Sequence, residues 1–120
     1  MQPESMMRLA AEAIYEEQAE DILVLEIGAL TVLADYFLIA TGKNVNHIRT
    51  IADQIKVRAK AQGLKILREE GYEEGRWVVL DLGAVIVHIF RRQDREYYRL
   101  EQLWGEGKVT PFPFTNSKEV

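Results

Sequence analysis

The chain switches between two hydrophobic spacings, and the switches mark its elements. From Ser5 onward, Leu9, Ala10, Ala13 and Ile14 share one stripe at helical spacing, and Ser5 is placed to cap that helix. Glu12, Glu16 and Glu20 recur every four residues on another face. Asp21 to Ile27 reads as a strand, and residues 28–35 as a connection. Tyr36 to Ala40 is a nearly unbroken apolar run, the pattern of a strand covered on both faces. Thr41-Gly42-Lys43 ends that strand, and Asn44 is a suitable cap for a helix over 44–62. Val45, Ile48, Ile51, Ala52 and Ile55 would then point inward, with Arg49, Asp53, Lys56 and Lys60 outward. Gly63 is a fitting stop, and Leu64 to Arg68 resumes a strand. Strand, turn, helix and strand predict a βαβ unit with parallel pairing and a right-handed crossover.

Gly71 to Gly75 is a loop between this unit and a hairpin. Residues 76–82 and 85–90 flank Gly83-Ala84, and a leading glycine suits a two-residue turn of type II′. That turn sets the register. Leu82 opposes Val85, Leu80 opposes Val87 and Val78 opposes Ile89, an aliphatic face that belongs in the core. The other face carries Trp77, Val79, Asp81, Ile86, His88 and Phe90. It is either covered by an amphipathic helix or presented to a partner. A helix is predicted over 94–104, followed by an extended stretch around Pro111 and Pro113. The order α-β-β-α-β-β-β-α implies an α+β fold, a mixed sheet of about five strands with flanking helices.

The 120 residues fit one domain, drawn here over 1–107 with an extended tail over 108–120. There is no cysteine, which removes disulfides, thiolate metal sites and a Cys nucleophile. The two histidines, His47 and His88, are too few for a His-based zinc site. No apolar run approaches the ~20 residues that span a bilayer. The acidic first segment resembles neither a signal peptide nor a transit peptide, so the expected setting is the cytoplasm. The net charge of −4 is unevenly divided. Residues 1–42 hold eight acids and one base, residues 43–68 seven bases and one acid, and residues 69–120 ten acids and seven bases. An acidic domain suits a basic protein partner better than sequence-independent nucleic-acid binding.

The candidate chemistry is sparse. Asp81 and His88 would sit diagonally on the hairpin, within side-chain reach, and such a pair can orient a general base. Ser5 and Ser117 both lie in terminal segments, which argues against a Ser-His-Asp triad. Thr41-Gly42-Lys43 follows a strand but lacks the upstream glycine of a phosphate loop, so a plain strand-to-helix turn is the simpler reading. Arg49, Lys56 and Lys60, with Arg58 to one side, could touch an RNA backbone or only water.

Several blocks resemble the Iojap-like ribosomal silencing factors. Asp35-Tyr36-Phe37-Leu38-Ile39-Ala40-Thr41-Gly42 is similar to that family's DYF-[VL]-I-x-TG segment, and Ile51-Ala52-Asp53 to the IAD that follows. Residues 70–71 and 77–90 resemble its EG and W-[VI]-[VL]-[LV]-D-x-G core, and residues 95–104 its R-x-[YF]-Y-x-LE-x-LW terminus. The likeness runs over about residues 5–106. Asn44 stands where the family usually has serine, and Ala84 where many relatives have an acid. The resemblance implies a nucleotidyltransferase-like fold and a non-enzymatic repressor of translation. Such factors bind the large ribosomal subunit through ribosomal large-subunit protein fourteen at its intersubunit face and block joining of the small subunit. It implies no cofactor, no metal, no nucleic-acid contact beyond incidental ribosomal RNA, and permits a homodimer. The expected contact residues are Trp77, Val79 and Asp81 on the hairpin, with Tyr72 and Glu73 in the adjoining loop. The alternative is a nucleotidyltransferase-like, metal-dependent enzyme using Asp81 and His88.

Overall fold

A computed structural model describes residues 1–99, 102 and 108–114. Helix α1 (Pro3–Glu16) leads into β1 (Glu20–Glu26) and β2 (Tyr36–Gly42). Helix α2 (Val45–Ala61) follows, then β3 (Arg68–Glu70), β4 (Trp77–Asp81) and β5 (Val85–Arg91). A short helix, α3 (Arg92–Tyr98), precedes β6 (Lys108–Pro111). The described strands form one mixed sheet in the order β3-β4-β5-β2-β1-β6. Only the central β2–β5 pair is parallel; its neighbours are antiparallel. The fold is thus α+β, as the element order implies.

Helix α1 starts one turn earlier than expected. Gln2 is its N-cap and Pro3 its first residue, so Ser5 lies inside the helix and is exposed. Proline is pre-shaped for that first position because its missing N–H would have had no partner there. Both long helices end in the same hydrogen-bond pattern. Beyond α2, Gly63 N–H donates to Lys60 O at 3.0 Å and Leu64 N–H to Ala59 O at 2.8 Å, with Gly63 at φ +72°. Beyond α1, Gln18 at φ +62° does the same with Tyr15 O, and Ala19 N–H donates to Ile14 O. The crossed pair satisfies carbonyls that a helix end leaves open. At the start of α2, Asn44 Oδ1 accepts from His47 N–H at 2.8 Å, the expected cap.

The expected βαβ pairing needs correction. The strand after α2 is Arg68–Glu70 rather than Leu64–Arg68, and it pairs antiparallel with β4. It runs parallel to β2 but lies beyond β5 and β4 in the sheet. The side chains explain the order. Strand β5 is buried at every position from Val85 to Phe90 and suits the centre. Arg68-Glu69-Glu70 is exposed throughout and suits an edge, where charge discourages pairing with another chain. The stretch expected as an extended tail begins with a ladder. Residues 108–111 pair antiparallel with β1, from Glu26↔Lys108 to Leu23↔Pro111. A proline is admissible there because the strand is an edge. Residues 115–120, and with them the rest of that tail, lie outside the described residues.

Two cores sandwich the sheet. On one face, α1 and α2 bury Met7, Ala10, Ile14, Ile48, Ile51 and Ile55 against Leu38, Val78, Leu80, Val87 and Ile89. Each of the larger of these side chains, the Ile, Leu, Val and Met residues, contributes ~1.5–3 kcal/mol by leaving water. The opposite face gathers Leu25, Ile27, Ala34, Phe37, Ile39, Ile86 and Phe90, with Leu23, Trp77 and Val79 partly buried against them. The hairpin register is as expected: Val78 faces Ile89 and Leu80 faces Val87.

Candidate functional site

The hairpin's second face is built around an aromatic stack. Phe90 is fully buried and stands opposite Trp77, with ring centroids 4.8 Å apart and 27° between planes. Trp77 is partly buried, and one side of its large rigid ring rests on this packed base. Its Nε1–H donates to His88 Nδ1 at 3.1 Å. Phe37 packs on the far side of the His88 ring at 4.9 Å. His88 is therefore held neutral: burial pushes its pKa down from 6.5 to about 4. Because Nδ1 accepts from the indole, the ring proton sits on Nε2, which is buried without a partner among the described residues.

Asp81 is used differently from either expectation that joined it to His88. Its partner across the ladder is Ile86, and its Oδ1 accepts from Gly83 N–H at 2.8 Å. That bond closes the turn in the manner of an Asx motif. Asp81 and His88 are thus each engaged elsewhere, and the structure does not join them in a dyad. Among the described residues no group of three His, Asp or Glu side chains is placed to hold a metal ion.

Tyr72 and Glu73 lie in the loop before β4. Tyr72 packs towards α2, against the core that the helices cover. Its hydroxyl donates to Asp53 Oδ2 at 3.0 Å, and this bond raises its pKa above the usual 10.0. Lys56 Nζ sits 4.4 Å from the ring centroid and pairs with Glu69 at 2.7 Å. The Arg49 guanidinium reaches back to the same loop, donating from Nε to Tyr72 O at 3.0 Å and also to Glu73 O. The outcome is a loop fixed from behind, with the Glu73 side chain outside. The basic face of α2 is correspondingly occupied. Arg49 holds the loop, Lys56 pairs with Glu69 and Asp53, and Arg58 pairs with Glu16 at 2.5 Å. Lys60 is exposed and makes no ion pair among the described residues.

The turn after β2 is filled by its own chain. His47 Nδ1 accepts from Lys43 N–H at 2.9 Å, and its Nε2 donates to Glu17 O at 2.6 Å, tying the end of α1 to the start of α2. Arg95, within the helix expected over 94–104, is buried. It donates to Thr41 Oγ1 at 2.9 Å and to Asp21 O at 2.6 Å. Asp21 sits at φ +48° where the β1–β2 register shifts, so Arg95 anchors a bulge. Asp94 beside it is also buried and pairs with Arg91 at 3.0 Å and Arg76 at 3.4 Å. Apart from the Arg91–Asp94 pair, three residues apart, nothing in the spacing of the acids and bases signals these contacts, since Asp21, Thr41 and Arg76 are distant in sequence. The helix expected over 94–104 is described as Arg92–Tyr98; Leu100, Leu103 and Trp104 lie outside the described residues. No helix among the described residues is long and apolar enough to cross a membrane.

Comparison with known proteins places this architecture. The family described as "ribosomal silencing factor during starvation" matches residues 1–119. A ribosomal silencing factor of Bacillus subtilis is 40% identical over 95% of this chain and 97% of its own length. The chloroplastic Iojap protein of Zea mays is 30% identical over 91% of this chain and 47% of its own. Among solved structures, a Chromobacterium violaceum protein superposes with a TM-score of 0.86 at 34% identity, covering 98% of both chains. A Bacillus halodurans protein gives 0.78 at 40% identity, over 84% of this chain and 94% of its own. With the sequence matched from end to end and the fold shared with these structures, the chain belongs to the ribosomal silencing factor family.

Proposed function

We propose that the protein binds the large ribosomal subunit through ribosomal large-subunit protein fourteen on its intersubunit face. From there it blocks joining of the small subunit and so represses translation in the cytoplasm when nutrients are short. Occlusion requires affinity and bulk, not a reactive group, so the protein acts without catalysis. The observation that carries the reading is Trp77: a partly buried indole stacked on a fully buried Phe90 and oriented by His88. A rigid aromatic on a packed base binds with little loss of side-chain freedom, which is why such rings dominate interface energetics. Val79 extends the apolar surface, and Asp81 and Glu73 supply acidic groups suited to a basic ribosomal protein. Tyr72 contributes by holding the loop, through Asp53, rather than by direct contact.

Sedimentation of ribosomal subunits with and without the protein tests the reading. Saturating protein is expected to keep the subunits apart, and unchanged joining would refute it. Trp77→Ala is expected to weaken binding to the purified ribosomal protein by ~30-fold, the equivalent of about 2 kcal/mol at an interface hot spot. A folded Trp77→Ala variant that binds as wild type would move the contact surface elsewhere.

A further inference from the structure

The connection between β1 and β2 is unusually apolar for a loop, and the structure divides its side chains into two sets. Ile27 and Ala34 are buried and pin its ends. Leu30, Val32 and Leu33 point outward, with 44%, 103% and 64% of their surface exposed. They are not there by slackness. Ile27 N–H donates to Asp35 O at 3.0 Å, and Leu30 N–H to Ile27 O at 2.8 Å. Leu33 N–H donates to Thr31 Oγ1 at 3.1 Å. Asp35 and Tyr36 N–H both donate to Ala84 O, at 2.8 and 3.1 Å, fastening the loop to the hairpin turn. An ordered loop thus holds three aliphatic side chains in water, against the hydrophobic driving force.

A cleft of about 720 Å³ opens beside this tip, lined by Glu4, Glu26, Asp35, Tyr36 and Lys108 among others. Glu26 meets Lys108 at 3.7 Å and Glu4 meets Arg8 at 3.4 Å, both at exposed positions. Asp35 makes no ion pair among the described residues. The cleft therefore keeps a negative balance. Burial, and after it the charges of Glu26, Glu4 and Asp35, raise the pKa of the Tyr36 phenol above 10.0.

We propose that this end of the sheet is a docking surface for a polypeptide segment carrying an aliphatic side chain beside a lysine or arginine. The aliphatic group covers Leu30, Val32 and Leu33, and the cation enters the cleft towards Asp35 and Glu26. The pairing of an apolar tip with a carboxylate that has no ion pair among the described residues, Asp35, selects against acidic and against purely polar segments. This surface is separate from the indole anchor. The loop abuts the Asp81 end of β4, whereas Trp77 stands at the other end, roughly 13 Å away along an extended strand.

Amide chemical-shift titration of the full chain with short synthetic peptides tests the proposal. The peptides share one length and differ in composition: leucine with lysine, serine with lysine, and leucine with glutamate. The leucine–lysine peptide is expected to shift amides of residues 28–36. Its affinity is expected to fall at least tenfold when either residue type is replaced, or in Leu33→Asp, and to fall as well in Asp35→Asn and with added salt. Both positions are exposed, and retained spectral dispersion of each variant verifies its fold. Shifts centred elsewhere, no shifts at millimolar peptide, or shifts indifferent to both variants would overturn the proposal. Sedimentation equilibrium supplies a further arm: a dimer that Leu33→Asp dissolves would assign the patch to a second copy of this chain and overturn it too. No ribosome enters the experiment, so its failure is distinct from failure of the subunit-binding reading.

Discussion

His88 makes the stability of this protein depend on pH in a window whose upper part lies above the carboxylate range. Burial holds its pKa near 4 in the fold, against 6.5 for the free side chain. As pH falls, the unfolded chain takes up a proton first. The stabilisation is fully present above pH 6.5 and is lost as pH falls from there towards 4. Across the whole interval the loss is about 3 kcal/mol, and between pH 7.5 and 5 it is already about 2 kcal/mol. The cause is visible in the contacts. A protonated ring would carry N–H groups on both nitrogens, so Nδ1 would face the Trp77 indole donor at 3.1 Å instead of accepting from it. Urea denaturation at several pH values, for wild type and His88→Gln, isolates the effect, since every other titrating group is common to both. Wild type is expected to lose about 2 kcal/mol more than the variant between pH 7.5 and 5. The Trp77 indole N–H resonance is expected to move over the acid part of the same range. Parallel stability curves for the two proteins would refute the argument, showing that the imidazole exchanges protons equally well folded and unfolded.

Two further predictions concern backbone and buried polar groups. A Cβ at Gly71, at φ +81°, would collide with the Trp77 carbonyl oxygen, whereas one at Gly63, at φ +72°, meets nothing within 4 Å. Gly63→Ala is therefore expected to cost about 1 kcal/mol, from the left-handed conformation alone, and Gly71→Ala at least about twice that; equal losses in denaturant titration would contradict the structure. Thr41→Val removes an acceptor from the buried Arg95 guanidinium and is expected to cost about 2 kcal/mol, a fall in Tm of several degrees by calorimetry, with a loss under ~0.5 kcal/mol counting against a buried Arg95.

What could be read from the sequence was local. Gly83 and the alternation of residues 77–90 determine the hairpin register without reference to the rest of the chain. Asn44 and Gly63 mark the ends of α2 because capping depends on residues within a turn of each other. The misjudged elements are those whose partners are distant. Strand β5 takes the place beside β2 that the βαβ pattern reserves for the segment after the helix, and only the competing burial of the two segments decides it. Residues 108–111 look like a tail because the prolines mask a ladder that becomes visible once β1 supplies an open edge. The candidate site divides in the same way. Trp77, Val79 and Asp81 share a face because strand alternation requires it. His88 is diagonal to both Trp77 and Asp81 in that register, and sequence alone does not choose between them. The indole N–H needs an acceptor and the Asp81 carboxylate is drawn to Gly83, so the structure pairs His88 with Trp77. The Tyr72 hydroxyl, in the adjoining loop, is bound by Asp53, nineteen residues upstream, a partner that no local spacing signals.

The pairing of β6 with β1 has a consequence for how the chain comes into being. Residues 20–26 leave the ribosome well before their outer partner, residues 108–111. Throughout synthesis the nascent β1 carries an open row of N–H and C=O groups next to Leu23 and Leu25, a template for pairing with other nascent strands. Only when Lys108 to Pro111 are released can that edge close. A member of the ribosomal silencing factor family thus cannot complete its own sheet while residues 108–111 are still unmade.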